Sequence, residues 1–226
     1  MSILLNRKKM IKFLSFIALT IIGIHSIILS IYYYIGDPDT FDFIRMFDLD
    51  MERNVPTLFS SAILLISSFL FYLLSQTSSA EKQRKKPYWL GLSFIFIFLA
   101  FDESAKIHEQ LGDLTEHFVD ATGYLHYPWV IPYALMVFVL GIVYFRFFWN
   151  MEKKVFWAFM CAAVIFLSGA LGFELLGANE SSQNGTKSLL YSVLYTIEET
   201  LEMFGVIYLI YILLGLLEGE NLKVTK

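Results

Sequence analysis

The sequence predicts an all-α protein, specifically a polytopic transmembrane helical bundle with six membrane-spanning helices. Of its 226 residues, 57% are hydrophobic and 17% are charged, whereas a soluble domain is nearer half apolar and a quarter charged. Most of the charges lie between long apolar runs, and a run of roughly 20 apolar residues is enough to cross the hydrocarbon core. Lipid is therefore the expected solvent, and residues 1–226 are expected to form a single integral membrane domain.

Six apolar runs define the predicted helices. The first run ends before Pro38, and the third is the least regular because charges follow Phe101. Pro128 opens the fourth run, where the amide groups of a first helical turn lack partners anyway, and Gly185 separates the fifth run from the sixth. The predicted spans are 12–35, 56–75, 88–109, 128–149, 155–176 and 189–217.

The distribution of lysine and arginine predicts the orientation of the bundle. If the N-terminus lies in the cytoplasm, thirteen of these 17 residues fall on cytoplasmic segments and four on external ones. Cytoplasmic loops of membrane proteins carry such an excess, and tryptophans are enriched at both membrane interfaces, as the four tryptophans are here. The sequence therefore predicts a multi-pass protein of the cell inner (cytoplasmic) membrane with both termini in the cytoplasm.

Composition excludes several function classes. The net charge of −4 offers no basic surface for nucleic acid. The single cysteine, Cys161, lies in an apolar run, which excludes an internal disulfide and a CxxC motif. No P-loop, HExxH or GxSxG motif occurs, which removes the commonest NTPase and hydrolase schemes. The expected partners are the lipid bilayer and a lipid or lipophilic substrate.

Ionisable residues at membrane depth are the most informative feature of the sequence. Each costs roughly 2.5–3.5 kcal/mol to insert, and such residues usually face the bundle interior. Counted at about 1.5 Å per residue from the cytoplasmic ends, the acids and imidazoles of four helices fall at heights of about 19–30 Å. This shared height predicts one site in the half of the bundle that spans the outer leaflet. The residues are His25, Asp102, Glu103, Lys106, His108, Glu109, Glu174, Glu198, Glu199 and Glu202.

The third span, if it is a regular helix, places its charges on different faces. Asp102, Lys106 and Glu109 follow i, i+4, i+7 spacing and share one face. Lys106 could then bridge the two carboxylates, as neighbours on a helix do. Glu103 and His108 would point elsewhere on the same helix. The sequence therefore predicts an intrahelical ion-pair network in this span.

The sixth span carries three glutamates that apolar residues flank on both sides. Glu198 and Glu202 share a face, whereas Glu199 lies about 100° around the helix. Several carboxylates this close cannot all ionise without a cation, because like charges and a low dielectric both oppose it. Three solutions are open, namely shared protons, pairing with Lys106 and the histidines, or a bound metal.

A bound metal gives these residues a defined chemistry. Carboxylate and imidazole ligands suit iron, manganese or zinc, and they match di-iron carboxylate bundles in ligand type, although no Glu-x-x-His pair occurs here. The predicted ligands of a divalent metal are Glu103, His108, Glu174, Glu198 and Glu202. The predicted catalytic acid–base groups are Glu103, His108 and Glu199. The supporting polar network consists of His25, Asp102, Lys106 and Glu109.

Two stretches of the sequence support this choice of residues. Residues 102–109 read DE-x4-HE and residues 198–203 read EE-x2-EM. Together they resemble a group of uncharacterised bacterial integral membrane proteins that carry similar stretches, and an isolated glutamate at the position that Glu174 matches. The resemblance spans the third to the sixth predicted helix. It implies which residues matter, and it implies no particular reaction.

The cytoplasmic half of the predicted bundle is almost free of polar residues. A conducting path needs polar groups or water along its length, and only the second span offers any, through serines between Ser60 and Ser75. The leading hypothesis is therefore a metal-dependent membrane protein that acts on a lipid or lipid-soluble molecule at the outer leaflet, and whether it is an enzyme stays open. A proton- or cation-coupled transporter is the alternative. A non-catalytic membrane subunit or sensor is the second alternative.

Overall fold

Helices account for the regular secondary structure in the part of the chain that the structure describes. The computed structural model describes residues 6–35, 45–76 and 85–224, and in these ranges it contains seven α-helices and no strand. Six of the seven are long and apolar enough to cross a membrane, which confirms the predicted all-α fold with six candidate spans. The helices are α1 (Arg7–Ile35), α2 (Val55–Ser75), α3 (Lys86–Ala105), α4 (Ile107–Glu116), α5 (Val130–Trp149), α6 (Lys153–Asn184) and α7 (Leu189–Val224).

The long helices run between two ends of the bundle. One end, here called the acidic end, consists of the segments 45–54, 106–129 and 185–188. The opposite end, here called the basic end, carries Lys85 and the turn between α5 and α6 at residues 150–152. The predicted stop at Pro38, and three basic residues that entered the predicted orientation, lie outside the described residues. The three are Lys82, Arg84 and Lys226.

The last helix, α7, forms the centre of the bundle. Its residues Met203, Ile210 and Leu213 are almost completely buried, and the helix packs against α1, α2 and α6. Lipid tails are as apolar as leucine, so helices in a membrane associate through close packing and polar contacts. α1 packs mainly against α7 and therefore lies at the periphery.

Serines join α2 to α3. The Ser68 hydroxyl donates to the Ser93 carbonyl at 2.8 Å and lies 3.0 Å from the Ser93 hydroxyl. The hydroxyls of Ser61 and Ser104 pair at 2.7 Å. Small side chains let the two backbones approach, and these bonds satisfy hydroxyls that lipid would leave unpaired. Two serines of the second span, Ser61 and Ser68, therefore serve the α2–α3 contact.

Two glycines bring α6 and α7 into contact. A Cβ atom at Gly205 would lie 2.8 Å from the Phe166 nitrogen and 2.9 Å from Phe166 Cβ. A Cβ atom at Gly169 would lie 2.7 Å from the Glu198 carbonyl oxygen. Close approach of membrane helices commonly depends on glycine at such points. The two glycines therefore set the distance between α6, which carries Glu174, and α7, which carries Glu198, Glu199 and Glu202.

The third span is not one regular helix through Glu109. Lys106 has a φ of 56°, in the left-handed region, so the chain turns there and α3 and α4 are separate helices. The Asp102 carboxylate accepts the His108 backbone N–H at 2.7 Å and so caps the first turn of α4. The expected alignment of Asp102, Lys106 and Glu109 on one helical face is therefore wrong, because the turn at Lys106 reorients everything that follows it.

Candidate functional site

A cavity of about 980 Å³ lies inside the bundle. Its lining comes from helices α2 to α7 and from the segments 45–54, 117–129 and 185–188, and none of the described residues of α1 belongs to it. The predicted metal ligands and the predicted acid–base groups all line this one cavity, as does Asp102. The ionisable lining residues include Asp50, Glu52, Asp102, Glu103, His108, Glu109, Glu174, Glu198, Glu199 and Glu202.

His108 is held between two carboxylates. Its Nδ1 lies 3.3 Å from Asp102 Oδ1, and its Nε2 lies 3.5 Å from Glu52 Oε1. Burial alone would lower the pKa of His108, but the hydrogen bond with Asp102 and the charges of the surrounding carboxylates outweigh it and raise the pKa. Asp102 therefore both orients the imidazole and favours its protonated form.

Lys106 bridges two glutamates at the rim of the cavity. Its Nζ lies 2.8 Å from Glu109 Oε1 and 3.1 Å from Glu52 Oε2. Burial raises the pKa of Glu52, and the hydrogen bond and charge of Lys106 offset this only in part. The side-chain bridge expected between Lys106 and Asp102 is thus replaced by one that ties α4 to the segment 45–54.

His25 holds the segment 45–54 from inside the bundle. Its Nδ1 accepts the Leu49 N–H at 3.2 Å, so its Nε2 carries the proton and donates to Thr196 Oγ1 at 3.1 Å. The residue is 1% exposed and does not line the cavity. Both ring nitrogens are occupied by these bonds, so His25 supports the site as an anchor from a distance.

Two acidic residues of this anchored segment reach the cavity although the sequence did not predict them as site residues. Asp50 accepts a hydrogen bond from the Tyr191 hydroxyl at 2.8 Å, and Glu52 contacts His108 and Lys106. The signal that could have found them is the acidic composition of the loop after the first span. Their position depends on how that loop folds back into the bundle, which sequence spacing does not reveal.

Glu174 follows a π-helical turn in α6 at Ser168–Phe173. Such turns insert an extra residue into a helix and occur frequently at functional sites. The Trp129 indole N–H donates to Glu174 Oε1 at 3.0 Å, and the Glu198 carboxyl lies within hydrogen-bonding range of Glu174. Two bare carboxylates repel each other, so this contact requires a shared proton or a cation.

The three glutamates of α7 all line the cavity. Glu198 and Glu202 share a face of the helix, and Glu199 lies about 100° around it. The part of α7 that faces the cavity is therefore more than a quarter of the helix surface at this level. Glu103 of α3 lies close enough for its charge to act on both Glu199 and Glu202. The acidic groups and His108 that were predicted at similar heights therefore line one shared space, whereas His25 and Lys106 do not line it.

Tyr133 adds a polar group that no motif predicted. It is 8% exposed and lines the cavity. Its hydroxyl lies near Asp102, and its ring lies 6.5 Å from that of His108 between centroids. Tyr133 therefore places a phenolic hydroxyl beside the Asp102–His108 pair.

The acids do not form a ready-made metal centre. Within the described parts of the chain, no three His, Cys, Asp or Glu side chains are arranged so that they could hold one metal ion. They come from several different helices that line the cavity. Binding of a divalent metal by these residues stays a prediction.

The part of the cavity toward the basic end is apolar. Phe71 of α2, Leu92 of α3 and Phe159 of α6 line it. Ser67 and Ser68, which belong to the serine-rich span, are buried near the α2–α3 contact and do not line the cavity. The cavity thus has a charged end and a hydrocarbon end.

Comparison with known proteins gives one family match. No curated protein and no solved structure matches the chain. The family model described as a domain of unknown function, DUF8692, matches residues 14–216, a range that includes every residue of the cavity. The chain therefore belongs to the DUF8692 family, whose function is unknown.

Proposed function

We propose that this protein binds a lipid or lipid-soluble molecule in the cavity and acts on it at the acidic end. The observation that carries the proposal is the division of the lining into carboxylates with His108 at one end and residues such as Phe71 and Phe159 at the other. The volume of about 980 Å³ lies near the upper limit of small-molecule sites, about 300–1,000 Å³. A molecule with a polar head and a hydrocarbon chain matches this lining.

His108 is the group best placed for proton transfer. Asp102 bonds its Nδ1, which leaves Nε2 facing Glu52 and the space beyond it. An imidazole oriented by a carboxylate is a common general acid–base arrangement. In this proposal Glu103 and Glu199 serve as further proton acceptors, since both line the same cavity.

A divalent metal would give the carboxylates a common partner. Iron, manganese or zinc would suit carboxylate and imidazole ligands and would supply Lewis-acid polarisation of a substrate oxygen. The support is the chemistry of the donors and the contact between Glu174 and Glu198, which needs a cation or a proton. The donors would have to move toward one another, because they do not converge within the described residues. The proposed ligands are Glu103, His108, Glu174, Glu198 and Glu202.

The direct test measures both metal and lipid in purified protein. We expect protein prepared in detergent without a histidine tag to hold a stoichiometric divalent metal by elemental mass spectrometry. The Glu202→Gln variant should hold it at least about tenfold more weakly, because it loses a ligand. Native mass spectrometry should reveal a co-purified amphiphile in wild type. Glu218→Gln, on an exposed part of α7 away from the cavity, is the matched control.

The possible outcomes separate the two parts of the proposal. Wild-type protein with neither metal nor amphiphile would contradict it. An amphiphile without metal would retain the binding function and assign the carboxylates to a shared-proton network. An amine-bearing amphiphile without metal would make the head group itself the cation that the acids require.

We further propose that the basic end faces the cytoplasm and that the acidic end faces the outside of the inner membrane. Lys153 and Lys154 lie at the basic end, and Trp149 beside them is 63% exposed, as expected of an interfacial tryptophan. If all six long helices cross the membrane, four crossings precede these lysines and two follow them. The start of the first helix and the end of the last helix would then lie on the same side as the lysines.

Cysteine labelling checks this orientation. In a Cys161→Ala background, Thr122→Cys and Lys154→Cys place one thiol at each end, on residues that are exposed. We expect a membrane-impermeant maleimide to label Thr122→Cys in intact cells and Lys154→Cys only after permeabilisation. The reverse pattern would overturn the orientation.

A further inference from the structure

Helix α5 forms one wall of the cavity and is attached to its neighbours near its two ends. Toward the basic end, the Phe147 ring stacks on Tyr88 of α3 with 4.8 Å between centroids, and the Tyr144 hydroxyl donates to the Tyr88 carbonyl at 3.2 Å. At the acidic end, Trp129 precedes the helix and bonds to Glu174 of α6 at 3.0 Å. The middle of α5 lies between these attachments.

The wall is open at Gly141, in this middle part. Gly141 lines the cavity and is also exposed at the surface of the protein. A Cβ atom added there would meet no heavy atom within 4 Å beyond its own helix backbone. Phe145, one turn later, likewise lines the cavity and is 59% exposed. Residues that belong both to the lining and to the outer surface mark an opening through the wall.

The opening lies on the side of α5 that faces α6. Gly141, Phe145 and Phe148 follow one another at i, i+4 and i+7 and so lie along one side of the helix. Phe148 packs against Phe159 of α6 with 5.0 Å between ring centroids. The two helices also meet near their connecting turn, where Trp149 contacts Phe156. Further from that turn, on the same side of α5, no heavy atom outside the helix backbone lies within 4 Å of a Cβ position at Gly141.

The opening faces hydrocarbon if the long helices cross a bilayer. Gly141 is the twelfth of the 20 residues of α5, so it lies near the middle of the span. The neighbouring surface is formed by apolar side chains, of which Phe138 is 66% and Ile142 is 64% exposed. A molecule that reaches the cavity at this point arrives from the lipid phase.

We propose that a bilayer lipid enters the cavity laterally from the membrane through the gap between α5 and α6, and that Gly141 lies at the entrance. The inference rests on the proposed function, because it concerns how the amphiphile reaches its site. The hydrocarbon chain passes the opening into the apolar half near Phe71 and Phe159, and the head group lies toward the carboxylates. The absence of a side chain at Gly141 keeps the passage open, and a large side chain there would occupy it.

The test introduces a side chain at Gly141 and follows a lipid probe. Wild type and Gly141→Trp are reconstituted in phosphatidylcholine vesicles, to which a phosphatidylethanolamine with a diazirine on its acyl chain is then added. After illumination, mass spectrometry locates the cross-links. At short times after the probe lipid is added to the vesicles, we expect wild type to be labelled at cavity residues such as Phe71 and Leu209. Labelling of Gly141→Trp at these residues should develop at least about tenfold more slowly, which corresponds to a barrier higher by about 1.4 kcal/mol or more.

Gly23→Trp on α1 is the matched control. Gly23 is also an exposed helical glycine at which an added Cβ atom would meet no heavy atom within 4 Å, and it does not line the cavity. It should leave internal labelling at the wild-type level. Gly141→Leu, a smaller obstruction that suits a helix better than glycine, should reduce labelling to an intermediate extent while thermal stability stays at the wild-type value.

Each outcome decides between the two proposals. Undiminished internal labelling in Gly141→Trp, with a labelled wild type, would overturn entry through this gap and leave the proposed binding function intact. A wild type labelled only on its lipid-facing surface would overturn the proposed function and the entry route together. Equal losses in Gly141→Trp and Gly23→Trp would also overturn the entry route, because the control does not touch the cavity.

Discussion

Replacing Gly205 with alanine is expected to destabilise the bundle by about 1–3 kcal/mol, the usual cost of an overpacked contact. The added Cβ would lie 2.8 Å from the Phe166 nitrogen and 2.9 Å from its Cβ. These atoms belong to the backbone and stem of α6, which cannot rotate aside as the tip of a side chain can. The whole of α6 must therefore move away from α7, and a fall in the thermal unfolding temperature in detergent measures the effect.

The same helix supplies a control for this prediction. Gly219 of α7 has no heavy atom within 4 Å of a Cβ position, and alanine is favoured over glycine in a helix by roughly 1 kcal/mol. Gly219→Ala should therefore match or slightly exceed wild-type stability. If Gly205→Ala melted at the wild-type temperature, the tight contact between α6 and α7 would be contradicted.

Replacing Asp102 with alanine is expected to release α4 and His108 together. The Asp102 carboxylate accepts the His108 N–H at 2.7 Å and lies 3.3 Å from its Nδ1. Loss of a helix cap costs about 0.5–2 kcal/mol, and a hydrogen bond to a charged group contributes about 1.5–3 kcal/mol. We expect faster amide hydrogen exchange throughout Ile107–Glu116 and a bundle destabilised by roughly 2 kcal/mol or more.

Two further variants serve as controls for the Asp102→Ala prediction. Asp102→Asn keeps an oxygen that can accept the His108 N–H, so exchange in α4 should stay close to wild type. Asp113→Ala removes the carboxylate of an exposed residue within α4. It tests whether the loss of any carboxylate near this helix has the same effect as the loss of Asp102. If Asp102→Ala exchanged no faster than Asp113→Ala, the capping role of Asp102 would be contradicted.

The ionisable residues at membrane depth show how far a sequence predicts a site. Glu174 and Glu198 were predicted to share a site because burial of such groups in a bilayer is costly and their heights agree. Both line the cavity, and they lie within hydrogen-bonding range of each other. Their proximity could be predicted from spacing along the chain because helix rise and bilayer thickness are fixed quantities. Together these quantities relate the position of a residue in the sequence directly to its depth in the membrane.

The region around Lys106 shows where this kind of prediction fails. Helical spacing assumes a regular helix, whereas the chain turns at Lys106 because Asp102 bonds to the first turn of α4 and Lys106 bonds to Glu52. The contact with Glu52 joins residues far apart in the sequence. It depends in turn on the segment 45–54, which His25 holds in place. Periodicity within one helix carries no information about such partners.

The sequence by itself determined the long apolar helices, their number and the heights of the acidic groups along them, because a bilayer imposes length and polarity on each segment separately. Only the tertiary structure decided that Glu52 and Tyr133 join the site, that His25 anchors it from outside, and that Gly141 lies at an opening. These properties belong to pairs of distant segments. They follow from long-range packing and hydrogen bonding, which composition and spacing along one chain do not specify.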